Sequence, residues 1–169
     1  MQSRAKLAGH AVHPMLITLP LGLLATAVVF DIIQAFNHSA ELAVASFFMI
    51  AAGIIGGLLA ALFGLIDWLA IPAGTRAKRI GLLHGLGNVV VVALFAVSWL
   101  LRRGQDSHVP TSLALWLGII AVLLALWTAW AGGELVERLG VGVDEGANLD
   151  APSSLSGPAT TRPQRTVES

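Results

Sequence analysis

Four long apolar stretches, each closed by a short polar or turn-forming segment, set the pattern of this chain. The first opens at His13-Pro14, and because proline is accommodated in a first helical turn, the spacing predicts a helix over 14–36, with Pro20 freeing a carbonyl inside it. The second stretch, 41–71, exceeds the roughly 20 residues that a bilayer crossing needs, so this helix tilts or projects beyond the lipid. After a turn from Pro72 to Arg79 the third covers 80–101, and the fourth covers 111–134. The expectation is an all-α fold: a polytopic membrane protein built as a bundle of four transmembrane helices over 13–143. A short N-terminal segment, 1–12, precedes it. A tail rich in Ser, Pro, Thr, Gly and Asp, 144–169, follows it and is expected to be disordered. Ala25-Thr26-Ala27, with Arg4 and Lys6 upstream, has the outline of a signal-peptidase site. The apolar run continues through Val28, Val29, Ile32 and Ile33, which argues for a retained span.

Composition sharpens this picture. Of 169 residues, 56% are hydrophobic and 12% charged, and the mean hydropathy is +0.78, values of an integral membrane protein. The absence of cysteine excludes disulfides, thiolate catalysis and cysteine-ligated clusters, and a net charge of +0 offers no field for nucleic acid. Where the charges fall is more informative. Arg4, Lys6, Arg76, Lys78, Arg79 and Arg138 share one side of a four-span chain, against Arg102 and Arg103 on the other. The positive-inside rule then places both termini in the cytoplasm. Gly53, Gly56, Gly57, Ala60, Ala61 and Gly64 give the second helix a close-contact face, and Gly81 and Gly85 give the third an edge through which copies could associate. The five tryptophans fall toward the two boundaries, as an aromatic belt does.

The candidate chemistry lies in one layer. His13, Asp67, His84 and Glu134, one from each helix, all sit within about two turns of the cytoplasmic boundary. Asn88 is one turn beneath His84, His10 just precedes the first helix, and Arg79 is placed to neutralise a carboxylate. Counting along the helix turns Asp67 toward the bundle, on the face of Ala60, Gly56, Gly53 and Met49. Three readings fit. The groups are polar glue, with Asp67 paired to His84 or Arg79; or they hold a quinone headgroup or similar polar ligand; or His13 and His84 ligate a metal or a b-type haem. Asp31, near the outer end of the first helix, forms a second candidate, either a carboxylate in the headgroup region or one buried against Ser46, Ser98 or His38. No phosphate loop or catalytic triad is present.

Several motifs together resemble a known family. They are Gly9-His10-Ala11-Val12-His13-Pro14-Met15-Leu16-Ile17-Thr18-Leu19-Pro20-Leu21-Gly22, Phe30-Asp31, Asp67-Trp68-Leu69-Ala70-Ile71-Pro72, His84-Gly85-Leu86-Gly87-Asn88, Gly132-Gly133-Glu134-Leu135-Val136 and Gly140-Val141-Gly142-Val143. In this order they are similar to the bacterial membrane family catalogued as domain of unknown function 2231. The resemblance implies a bacterial inner membrane. Because some members are joined to a Rieske-type domain, it also implies a link to membrane electron transfer. By match to its motifs, His10, His13, Asp31, Asp67, His84, Asn88 and Glu134 carry over as candidates. Thr18 and Leu139 stand where many members have His, which weakens a multi-histidine site.

The function expected is therefore an accessory membrane component, more a partner of an electron-transfer protein than an enzyme on its own. Its polar site would serve electron or proton transfer through a quinone or haem. An oligomeric transporter or channel subunit, and a structural or assembly protein without ligand, are the alternatives.

Overall fold

The computed structural model describes residues 1–156, and among them the chain is an all-α bundle with four helices long and apolar enough to cross a membrane. It begins with a two-stranded antiparallel hairpin, β1 (Lys6–Leu7) and β2 (His10–Ala11). The first span is made by α1 (Val12–Leu16) and α2 (Thr18–Asn37), and the others by α3 (Ala40–Ala70), α4 (Arg76–Arg102) and α5 (Ser112–Gly133). One 3-10 turn, Asp106–His108, lies in the α4–α5 loop, and a π-helical turn, Glu134–Arg138, continues α5. Of the expected tail, residues 157–169 lie outside the described residues. The part before them touches the hairpin, where Lys6 pairs with Asp144 and Ser154 Oγ donates to the Ala8 carbonyl at 3.0 Å.

Two features depart from the apolar pattern, each for a local reason. α4 starts at Arg76, about one turn before Ile80, because Thr75 Oγ1 accepts from the Lys78 amide at 3.1 Å and caps it there. The basic cluster read as a turn is the first turn of that helix. The first span breaks at Ile17, between α1 and α2. Pro20 has no N–H to offer the Leu16 carbonyl, so the ladder loses a rung there, while Thr18 Oγ1 donates to the Met15 carbonyl at 2.9 Å.

Within lipid, helices gain little by hiding apolar surface from one another, so close packing must hold them. α2 lies along α3 and α4 along α5, and the two hairpins meet through Leu24, Ala27, Val28, Ile50, Val91, Phe95 and Ala121. Gly53 permits this approach: a Cβ there would stand 2.6 Å from the Leu24 side chain. The outer surface is apolar, with Leu58, Leu62, Trp116, Leu123 and Trp130 exposed, which is what a bilayer requires. One end of the bundle, here the near end, carries the N-terminal hairpin, the α3–α4 turn and the residues after α5. The far end carries the α2–α3 turn and the α4–α5 loop.

Candidate functional site

At the near end the imidazoles of His13 and His84 meet edge to face, with ring centroids 6.2 Å apart and planes at 86°. Each is fixed in the same way. His13 Nδ1 lies 2.8 Å from the Ala60 carbonyl of α3, and His84 Nδ1 lies 2.8 Å from the Thr128 carbonyl of α5. A carbonyl can only accept, so both Nδ1 atoms carry hydrogen, and in the neutral ring Nε2 keeps its lone pair. Glycines make room: a Cβ at Gly64 would meet the His13 ring at 2.9 Å, and one at Gly132 the His84 ring at 3.2 Å.

Asn88 completes the pair on one side. Its Nδ2 donates to the His84 carbonyl at 2.9 Å and lies 3.3 Å from His84 Nε2, while its Oδ1 accepts from Thr128 Oγ1 at 3.1 Å. Thr128, only 2% exposed, therefore orients Asn88 through its hydroxyl and His84 through its carbonyl. It was absent from the expected site. The signal was there: Thr128 is the one hydroxyl in an otherwise apolar α5 interior.

The other candidates of this layer separate from the two imidazoles. Asp67 pairs with neither His84 nor Arg79. Its carboxylate accepts from Ser3 Oγ at 2.8 Å and from the Arg4 and Ala5 amides at 2.7 and 3.4 Å, so it anchors the N-terminal segment. The helical count aimed it correctly off the lipid face but could not foresee a backbone arriving from the N-terminus. Glu134 pairs with Arg76 at 2.7 Å, because the early start of α4 brings Arg76 into range, while Arg79 is exposed. His10 is exposed on β2, 3.3 Å from Ser154 Oγ. Trp68 Nε1 donates to the Lys78 carbonyl at 3.1 Å and Lys78 Nζ to the Trp68 carbonyl at 2.6 Å, locking the α3–α4 turn. A surface cavity of about 300 Å³ at this end is lined by Met1, Ile71, Pro72, Thr75, Arg76 and Leu139, not by the imidazoles.

At the far end Asp31 is not a headgroup carboxylate. It is fully buried and held in a fork by Arg102, also fully buried, at 2.8 and 2.6 Å, with Ser46 Oγ donating to it as well. Arg102 also reaches Ser46 Oγ at 2.9 Å and Ser98 Oγ at 3.1 Å. Two of the expected partners, Ser46 and Ser98, are present; His38 is exposed. In the charge count along the chain Arg102 is simply one of two basic residues on the far side, yet Ser98 and Arg102, four apart, share a helix face and meet in this cluster. Phe47 roofs this end, stacked on Trp99 at 5.1 Å and on His108 at 3.8 Å.

A family model described as "Predicted membrane protein (DUF2231)" matches residues 9–145, most of the chain. The chain belongs to this family. The DUF2231 match takes in both imidazoles, the Asp31–Arg102 pair and the four spans, which makes it a multi-pass membrane protein; Ser3, which grips Asp67, precedes it. No curated protein and no solved structure matches the chain.

Chemically, the near-end site offers two imidazoles whose Nδ1 atoms are engaged by main-chain carbonyls and whose Nε2 atoms are the nitrogens left for other chemistry. In the far-end pair, charge is already neutralised within the fold.

Proposed function

We propose that this chain is an accessory component of the bacterial inner membrane, with both termini in the cytoplasm, and that His13 and His84 form its working site in membrane electron or proton transfer. The observation that carries this reading is the pairing of the two imidazoles, each with Nδ1 held by a main-chain carbonyl and Nε2 free of the main chain. A histidine so oriented accepts a proton, donates one to a quinone carbonyl, or ligates iron through the free nitrogen. Asp67 and Glu134 support the site from outside by tying down the segments around it.

The test is oxygen consumption by membranes from cells carrying His13→Gln or His84→Gln, together with visible spectra of the purified chain, oxidised and dithionite-reduced. Slower electron flow at equal protein level supports the reading. A Soret band abolished by either substitution would make the group a haem; unchanged electron flow in both variants would overturn the reading.

A further inference from the structure

The buried positions of the two helical hairpins repeat. Asp31 and Arg102 are separated by 71 residues. The same offset relates His13 to His84, Pro20 to Val91, Leu24 to Phe95, and Ala27 to Ser98, and apart from the two half-buried imidazoles every one of these residues is buried. Along the second helix of each hairpin another constant offset relates Ser46 to Ala114, Ile50 to Gly118, Gly53 to Ala121 and Ala60 to Thr128, again all buried. It also relates Gly64 to Gly132. Bonding repeats as well: the Ala60 carbonyl holds His13 Nδ1 beside Gly64, and the Thr128 carbonyl holds His84 Nδ1 beside Gly132. The bundle is thus two copies of one hairpin related by a pseudo-twofold axis along the membrane normal, as in parallel-repeat membrane proteins.

Because the same histidine is built twice in the same setting, a difference between the two copies isolates what changes its chemistry. Asn88 on α4 corresponds to Ile17, and Thr128 on α5 corresponds to Ala60. An amide and a hydroxyl therefore stand beside His84 where His13 has two apolar side chains. Their effect follows from the direction of the hydrogen bonds. Asn88 Nδ2 can only donate, and its 2.9 Å bond to the His84 carbonyl fixes which way the amide faces. The same Nδ2 meets His84 Nε2 at 3.3 Å, while the buried Thr128 hydroxyl holds the amide oxygen at 3.1 Å. His84 Nδ1 is thus a donor and Nε2 an acceptor, so both nitrogens are committed in the neutral ring, and a proton at Nε2 would face an N–H. His13 Nε2 has no hydrogen-bond partner among the described residues. Nor is it sealed off: among those residues the buried side-chain nitrogens and oxygens without a partner are Trp99 Nε1 and Arg102 Nε, which leaves His13 Nε2 open to its surroundings.

We infer that the two histidines have divided roles: His13 is the base that exchanges a proton at Nε2, and His84 is a positioning ring that Asn88 and Thr128 keep neutral. A proton arriving at His13 bonds to the lone pair of Nε2 and leaves Nδ1–H on the Ala60 carbonyl, a bond that a cationic ring strengthens. Two imidazolium rings with centroids 6.2 Å apart repel, so the pair takes one proton, and the Asn88 contact decides which ring receives it. The remaining ionisable groups at this end of the packed helices are engaged or turned outward. Asp67 on α3 holds the Ser3 hydroxyl and the Arg4 and Ala5 amides. In the first turn of α4, Arg76 pairs with Glu134, Lys78 lies over the Trp68 ring and Arg79 is exposed.

This inference rests on the histidine site proposed above, and two measurements separate them. The full chain, isotope-labelled at the histidine nitrogens and purified in detergent, is followed by NMR as the pH is lowered from about 8 to about 5, a range that spans ordinary imidazole titration. Single His→Gln variants assign the signals. The expected result is that His13 Nε2 gains its proton first and that His84 Nε2 stays unprotonated to the end. Asn88→Ala removes the donor and should raise the proton occupancy of His84 Nε2 at a given pH by up to about tenfold. Thr128→Val, which releases the amide oxygen, should act in the same direction and takes the place of Asn88→Ala if that variant is not monodisperse. Protonation of His84 first, of both rings together or of neither overturns the division of roles, as does a His84 that stays unchanged when its Asn88 contact is removed. Oxygen consumption by membranes is the second measurement, and His13→Gln should slow it more than His84→Gln. If electron flow falls in both variants while the two rings titrate alike, the functional reading stands and the division falls. If His13 alone titrates while electron flow is unchanged, the division stands and the functional reading falls.

Discussion

At the scale of single residues, the near-end site depends on what is small as much as on what is polar. Gly64 and Gly132 lie beneath the two imidazoles, and a methyl at Gly64 would enter the His13 ring at 2.9 Å against 3.2 Å at Gly132. Overpacking of this kind is worth about 1–3 kcal/mol. Gly64→Ala should therefore lower the unfolding midpoint in a detergent titration more than Gly132→Ala does. Gly22→Ala, where nothing lies within 4 Å, should leave it at or above wild type, since alanine also favours the helix.

At the scale of elements, the N-terminal segment is held by one carboxylate. Asp67 accepts from a hydroxyl and two amides of residues 3–5, and Met1 reinforces the contact by donating its α-amino group to the Gly140 carbonyl at 2.8 Å. Asp67→Asn replaces one acceptor oxygen by a donor facing donors, a loss of about 1–3 kcal/mol in local anchoring. Hydrogen exchange should show faster exchange over residues 4–12 in this variant, with α4 and α5 unchanged. Equal protection in both proteins would mean that the carboxylate is not the anchor.

The helices were legible because their apolar runs exceed bilayer length. The partner of Asp67 was not, because a backbone amide carries no side-chain signature and the contact joins residues far apart in sequence. The pairing of His13 with His84 needed only depth, since helices of like direction bring like depths together. Arg102 escaped for the opposite reason: its place at a helix end looks like a loop charge until the fork to Asp31 is seen.

At the scale of the whole molecule, the Asp31–Arg102 pair joins the first and third spans at full burial. Removing one partner leaves a bare charge, at a loss of about 3–5 kcal/mol, whereas replacing both by apolar residues is often neutral or stabilising. Asp31→Leu and Arg102→Leu should each destabilise strongly in thermal unfolding in detergent, and the double variant should recover most of the loss. A double variant as weak as the worse single one would show that the serines and Arg102 matter more than the pairing.

The same ion pair has a meaning in time. During synthesis the first span enters the membrane with Asp31 before the third has left the ribosome, and until then the acid has no base to meet. Until Arg102 arrives, the carboxylate lacks the fork that holds it in the finished bundle. The final burial of Asp31 therefore waits on the third span, and this gives the assembly of the bundle an order.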